Sequence, residues 1–499
     1  MIVRLFLAFL LAATPSVACA NWHKANSDHF VVYGDTDEPQ LRNFVERLEK
    51  FDAVLRVVTG QKSGASPVKL TVFVVRDVAT LQKLKGPGSK DVYGYYSPQI
   101  TGPYAVIPRY SGSGEYDLDA ETVLYHEYAH HFMLQYFPAG YPAWYVEGFA
   151  EYFSTMVFRR DGNVAVGMPA KHRFGSLIYE SAFPLERMLA ADVGKMKDSE
   201  ASSFYAYAWL LTHYLRFEPT RKGQLQTYLN GFAAGKPPME AATTAFGDIK
   251  RLENDLNRYM KARRLSYTLL AGMKLPTPQI AIDRLGVSSN EIMPLYLRFM
   301  TPHDAAEIAR FAVDARAAAA KYPTEPGTLE MLAEGELDAE QFSAATKAND
   351  ALLAIRPTDG RAILRRARIA AAQMQKSKNF PGGWKAIRSL IVKANRASPD
   401  DPFPLLEYFN SFGRESIPVP DIAGVGLRRA LELAPQAVDL RFTLAGYLIE
   451  VNRKEEARIA LAPLVNHPHS AEVRNAARAM LGVAVPGVTE GLDTTGKSK

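Results

Sequence analysis

The segment His126-Glu127-Tyr128-Ala129-His130 constrains this chain most, because two histidines four residues apart share a face only on a helix. There the imidazoles project about a turn apart, and both can place a nitrogen ~2.0 Å from one zinc ion. Glu127, beside the first histidine, can then reach a water on that ion as general base. A catalytic zinc needs a third protein ligand and an open position. Glu147 is the expected third ligand, on a second predicted helix within Pro142-Ala143-Trp144-Tyr145-Val146-Glu147-Gly148-Phe149-Ala150-Glu151-Tyr152. Glu151 lies four residues on and therefore on the same face. It is expected to accept the second N–H of His126 or His130 and so fix a tautomer. Gly148 and Ala150 are small, which should let this helix approach the first closely.

The stretches before these helices read as a small sheet. His29 to Asp35 is a β-branched and aromatic run, and Val68 to Val75 is a second, apolar enough to be buried on both faces. Between them, Glu38 to Thr59 has helical periodicity in Leu41, Phe44, Val45, Leu48, Phe51 and Leu55, closed by Gly60. Tyr93 to Tyr96 and Tyr104 to Pro108 are further predicted strands, and Pro103 and Pro108 make the latter an expected edge strand. Asp119 is the expected N-cap of the helix that carries the histidines and runs to Tyr136. Pro142 suits the start of the next.

Residues 1–20 read as a signal peptide, with Arg4, an apolar run from Leu5 to Ala13, and Ala18-Cys19-Ala20 as the cleavage site. The apolar run is shorter than the ~20 residues a membrane span needs. No later stretch meets that length either, so no transmembrane helix is expected in the mature chain. The expected location is outside the cytoplasm, periplasmic or secreted. A lipid anchor on Cys19 is disfavoured by Ser16, where such signals favour leucine. Cys19 is the single cysteine, so a disulfide framework, a thiol nucleophile and cysteine-ligated metal are all excluded from the mature chain. Any transition-metal site must be built from His, Asp and Glu.

From about residue 300 the chain becomes rich in alanine-bearing helices, and Pro323, Pro357, Pro399, Pro435 and Pro468 recur every 33 to 42 residues. A period near 34 with a helix-ending proline marks tetratricopeptide repeats, which the stretches 351–372 and 430–461 resemble in their small and apolar positions. The expected divisions are a signal peptide at 1–20, a metal-binding domain at 21–268 and a connecting segment at 269–299. Helical repeats at 300–485 and a polar, disordered tail at 486–499 follow. The fold class is thus α+β, a small sheet followed by helices, joined to an all-α solenoid. At 499 residues, 47% hydrophobic and 22% charged, the chain has the composition of a folded protein. Its net charge of +6 is scattered, with only short pairs such as Arg159-Arg160 and Arg365-Arg366. No basic stripe supports nucleic-acid binding.

HEYAHH followed by WYVEGFAEY resembles the gluzincin zinc metallopeptidases, and more closely the peptidase MA-like group of secreted bacterial proteins, in which such a domain often precedes tetratricopeptide repeats. The resemblance implies one zinc ion per chain on His126, His130 and Glu147, with Glu127 as general base for a zinc-bound water and a peptide or protein as substrate. A tyrosine that stabilises the oxyanion is also implied. Tyr205, in Tyr205-Ala206-Tyr207-Ala208-Trp209-Leu210-Leu211-Thr212-His213-Tyr214-Leu215, fills that place ahead of Tyr207. His213 and His131 read as packed histidines rather than ligands. Two departures stand out: GPYAVIPR replaces the exopeptidase motif, and Val146 replaces the asparagine that usually precedes the glutamate ligand. The expected activity is zinc-dependent peptide hydrolysis, with an extended substrate added along Tyr104 to Pro108. The alternative is an inactive or accessory zinc-binding protein whose repeats hold a protein partner.

Overall fold

The computed structural model describes residues 22–482 apart from positions 63, 65, 67, 87–91, 111–113, 115–118, 191–195, 197, 301–303, 379 and 468–469. The expected signal peptide with Cys19, Pro468 and the expected tail lie outside the described residues. Strands β1 (Trp22–Asn26), β2 (Phe30–Asp35), β3 (Leu70–Asp77), β4 (Tyr95–Ser97), β5 (Tyr104–Tyr110) and β9 (Ala281–Arg284) form a mixed sheet in the order β4-β5-β3-β2-β1-β9. Strands β2, β3 and β5 run parallel, while β4, β1 and β9 pair antiparallel with their neighbours. Strands β6 (Val157–Phe158), β7 (Val164–Val166) and β8 (Thr268–Leu270) make a second, small sheet.

The β5 strand is not the edge expected from its prolines. It lies between β3 and β4, and β4 pairs only with Tyr104 to Val106. Pro108 lies past the end of β4, so its missing N–H removes no ladder bond on that side. The edge is β4.

The central strands β3 and β5 bury residues on both faces, as their composition requires, while β2 alternates buried and half-buried positions. Along β3, Leu70, Val72 and Val74 pack towards helix α1 (Glu38–Thr59), while Phe73 and Val75 pack on the opposite side. That second face is covered by Met293 and Leu297 of a later helix, and α2 (Val78–Lys85) adds Leu81. The α1 helix starts where the Asp37 carboxylate accepts from the Gln40 N–H and ends at Gly60, whose φ of 71° is the left-handed geometry that favours glycine.

Helix α3 (Ala120–Tyr136) begins at Asp119, which caps the Thr122 N–H, and α4 (Ala143–Ser154) follows directly after Pro142. The domain continues through α5 (Phe174–Tyr179), α6 (Leu185–Leu189), α7 (Asp198–Phe217), α8 (Gln224–Ala233), α9 (Pro238–Phe246) and α10 (Ile249–Met260). The stretch expected to connect the domains contributes β9 to the sheet and then α11 (Val287–Phe299), the helix that carries Met293 and Leu297.

A run of antiparallel helical hairpins follows: α12 (Ala305–Lys321), α13 (Pro326–Asp338), α14 (Phe342–Ile355), α15 (Gly360–Ser377) and α16 (Gly383–Ala397). It goes on through α17 (Phe403–Glu415), α18 (Asp421–Leu433), α19 (Val438–Glu450), α20 (Lys454–Leu461) and α21 (Ala471–Met480). Each helix from α12 to α20 packs on the next. Pro323, Pro357, Pro399 and Pro435 stand just beyond α12, α14, α16 and α18, at the close of alternate helices. The run folds back on the first domain: Ile100, from the turn after β4, packs into the core formed by α17 to α21. No helix among the described residues is long and apolar enough to cross a membrane.

A buried polar seam docks α3 on α1. Tyr128 donates to Asp52 at 2.7 Å, Arg56 donates to Asp52 at 2.6 Å, and His29 pairs with Glu49 at 2.6 Å. Burial opposes charge on both members of the last pair, but their mutual attraction and Asp52 prevail. The His29 pKa is raised above 6.5 and that of Glu49 lowered below 4.5. The raised histidine stabilises fully below pH 6.5, and its contribution fades as pH climbs through its folded-state value. The depressed carboxylate stabilises above pH 4.5, and its contribution fades as pH falls through its folded-state value. Glu49→Gln is therefore expected to destabilise by about 3 kcal/mol, with the largest difference from wild type between pH 4.5 and 6.5. Urea melts across pH check this, and a pH-independent difference would contradict the pairing.

Candidate metal centre

Three side chains from two helices converge. The α3 helix presents His126 and His130 one turn apart, and α4 presents Glu147, which is fully buried. The two Nε2 atoms are 3.1 Å apart, and Glu147 Oε2 lies 3.4 Å from each of them. One donor atom from each residue falls within 4.8 Å of the others, a group that could hold a metal ion. A tetrahedral ion with ligands at ~2.0–2.1 Å sets neighbouring donors roughly 3.3 Å apart. The observed separations match that spacing. Their chemistry fits as well, since two imidazoles and a carboxylate are a borderline nitrogen and oxygen set.

Behind these donors lies Glu151, also buried. Its Oε1 stands 3.3 Å from His126 Nδ1, and its Oε2 lies 3.0 Å from His172 Nε2. Arg173 donates to Oε1 as well. Burial alone would raise the Glu151 pKa, but Arg173, His126 and His172 hold it well below the usual carboxylate range. With Glu151 ionised at its Nδ1, His126 turns the other nitrogen towards His130 and Glu147. Burial opposes a proton on His126, yet Glu147 and Glu151 outweigh it and pull its pKa up to about 10. Two buried carboxylates thus draw positive charge to this spot, as a proton or as a metal ion.

Gly148 makes its close approach to a different helix from the one expected. A Cβ built on it would meet Thr212 Oγ1 at 2.1 Å and the Ala208 carbonyl oxygen at 2.6 Å. Both belong to α7, so the missing side chain seats α4 against α7 rather than α3. This contact also sets α7 relative to the donors. Tyr205, near the start of α7, lies with its ring centroid 6.4 Å from that of His126, and the Arg173 guanidinium is 5.2 Å from the Tyr205 ring. Burial and the Glu147 charge raise the Tyr205 pKa strongly, so its phenol stays protonated. Tyr207, two residues on, points away and contacts Met260.

The remaining histidines of the motifs are packed. His213 hydrogen-bonds Tyr259 at 2.9 Å and the carbonyls of Gly167 and Ser266 at 3.0 Å each, and burial brings its pKa down to about 4. His131 is bonded through Nδ1 to the Tyr96 hydroxyl at 2.9 Å, and burial brings it too to about 4. His172, Arg173 and Tyr96 carry no signal of these contacts in the sequence. They come from segments with no ligand spacing, and only the Glu151 and His131 contacts disclose them.

Glu127 faces outwards on α3 and, with His130, lines a cleft of about 330 Å³. The opposite wall belongs to the helical hairpins, through Gln436, Val438, Pro463 and Leu464.

No protein-family model matches the chain, and no curated protein matches it. Among solved structures, a thermophilic tetratricopeptide-repeat protein from Thermus thermophilus is similar over 39% of this chain and 100% of its own, at 18% identity and a TM-score of 0.34. What the donor cluster can do is set by its own geometry.

Two substitutions probe that geometry without touching a donor. Glu151→Gln removes the charge on His126 Nδ1 and is expected to weaken metal affinity by roughly 10–100-fold, read by competition with a chromophoric chelator. Gly148→Ala forces α4 from α7 and is expected to destabilise by about 1–3 kcal/mol, read by thermal melts. Unchanged affinity in the first, or unchanged stability in the second, would contradict the arrangement described.

Proposed function

We propose that the chain is a zinc-dependent metallopeptidase of the gluzincin type, working outside the cytoplasm as residues 1–20 imply. The observation that carries this reading is the convergence of His126, His130 and Glu147 at donor separations of 3.1 and 3.4 Å, beside Glu127 on the wall of a cleft. In this reading the three converging residues hold one zinc ion. The chemistry zinc supplies on such ligands is Lewis-acid polarisation of a carbonyl and acidification of a water towards a pKa of ~7.

The chain's own residues supply the rest. Glu127 takes a proton from the attacking water and delivers it to the leaving amine. Tyr205, kept neutral by burial and by Glu147, donates to the oxygen on which charge develops. Glu151, ionised by Arg173 and His172, holds His126 in the tautomer that leaves Nε2 free to bind. The β4 edge gives an extended substrate a strand to pair with, and its residues Tyr95 and Tyr96 line the same cleft.

A second reading, an accessory protein whose repeats hold a partner, is favoured by one observation. A groove of about 870 Å³ lies between the sheet domain and the hairpins, walled by Glu330 and Glu334 of α13 and Arg361, Arg365 and Arg368 of α15. Arg365 is committed to Glu334 at 2.6 Å and Glu330 at 3.0 Å, which leaves a pre-paired, mixed-charge surface.

Digestion of a peptide library with wild type and Glu127→Gln tests the two readings. The peptidase reading expects cleavage by wild type, a loss of roughly 10²–10⁴-fold in Glu127→Gln, and equal zinc content in both. Tyr205→Phe is expected to lower kcat by roughly 10²–10³-fold with little change in KM. Zinc-replete wild type that cleaves nothing, or full activity in Glu127→Gln, would leave the accessory reading.

A further inference from the structure

The hairpins do more than neighbour the donor cluster. Gly140, in the loop between α3 and α4, is so close to them that a Cβ built on it would lie 3.1 Å from the Ala462 carbonyl oxygen. The cleft above Glu127 and His130 is therefore a shared space. Its near side is apolar and aromatic, with Tyr95, Met133, Phe137 and Tyr141, and its far side carries Val438, Pro463 and Leu464.

On the far wall two polar side chains, Gln436 and His467, interrupt this lining. Gln436, in the turn between α18 and α19, is 1% exposed, and neither Oε1 nor Nε2 of its side chain has a hydrogen-bond partner among the described residues. A buried donor or acceptor left unmade costs about 1–3 kcal/mol, so an amide with both unmade demands an explanation. The turn that carries it is held firmly. Arg441, itself buried, donates to the Pro435 carbonyl from Nε at 2.8 Å and from a terminal nitrogen at 2.5 Å, and to the Ala460 carbonyl at 2.9 Å. These bonds tie the turn to α20 and hold the carboxamide at the wall. A firmly held donor and acceptor with no partner among the described residues complement a group that offers a C=O and an N–H together, as a peptide unit does.

We propose that Gln436 of the helical hairpins is a substrate-recognition residue, which receives a main-chain amide of a peptide while a neighbouring apolar side chain fills the shared cleft. This rests on the peptidase reading for the identity of the ligand as substrate, but not for the binding itself. The cleft, near the lower end of the ~300–1,000 Å³ typical of ligand sites, suits a short extended segment rather than a folded surface. The repeats thereby become part of the active cleft, and specificity for apolar residues beside the reacting bond is divided between the two halves of the chain.

The test measures binding on zinc-loaded, full-length Glu127→Gln, which separates recognition from cleavage. The probes are end-capped, dansylated pentapeptides, glycine throughout except for a central leucine or aspartate. The leucine peptide is expected to bind at least roughly tenfold more tightly than the aspartate one, and Gln436→Leu to weaken it by roughly tenfold. Because the amide has no partner among the described residues, Gln436→Leu is also expected to keep or raise Tm, which a structural glutamine would not allow. Equal affinity in Gln436→Leu, equal affinity for the two peptides, or a lowered Tm would overturn the proposal. A second variant, Val438→Phe, fills the cleft from the same wall. Loss of leucine-peptide binding with zinc content unchanged then supports the assignment, and retained binding overturns it. Failure of wild type to cleave any peptide would count against the peptidase reading alone.

Discussion

Two buried carboxylates one turn apart on α4, Glu147 and Glu151, set the terms for the rest of the first domain. Ionised groups so far from water are tolerable only where positive charge and donors meet them. The surrounding structure supplies these from two directions. His126 and His130 come from α3, and His172 and Arg173 from the chain beyond β7. To bring them together, α3 is fastened to α1 by the Tyr128, Asp52 and Arg56 seam, and α4 is pressed on α7 at Gly148. The sheet contributes by burying one face on α1 and so fixing the platform against which α3 lies.

Local chemistry made much of this legible in the sequence. The i, i+4 histidines, the Asp37 and Asp119 caps, the Gly60 stop and the Pro142 restart are short-range signals, and the elements they mark appear with nearly the expected bounds. Pro323, Pro357, Pro399 and Pro435 likewise fall after alternate helices of the hairpin run. What was hidden depends on contacts between distant segments. The position of β5 inside the sheet is decided by β4 pairing over three residues, which its prolines do not reveal. The partner of Gly148 is α7 because tertiary packing, not spacing, selects which helix a small residue admits. His172 and Arg173 lie in a short turn with no periodicity, and their role is visible only through Glu151. The β9 strand and α11, in a stretch that reads as a connection, join the sheet by pairing with β1 and covering Phe73.

The two halves of the chain also depend on each other. Sheet, α11 and hairpins are continuous in packing, and the last hairpins return to the mouth of the donor cluster through Ile100, Gly140 and the cleft-lining turn at Gln436. A run of hairpins in this position does not simply append a separate module. It narrows what can reach Glu127 and His130, and places its own polar group beside them.

In the proposed reading, His126, His130 and Glu147 together hold one zinc ion. X-ray absorption at the zinc edge, on purified full-length protein, tests it most directly. One zinc per chain is expected, with two imidazole nitrogens and a carboxylate oxygen at ~2.0–2.2 Å and no sulfur, and a shell that loses its protein oxygen in Glu147→Ala. Protein that takes up no stoichiometric zinc, or a shell unaltered by Glu147→Ala, would contradict it.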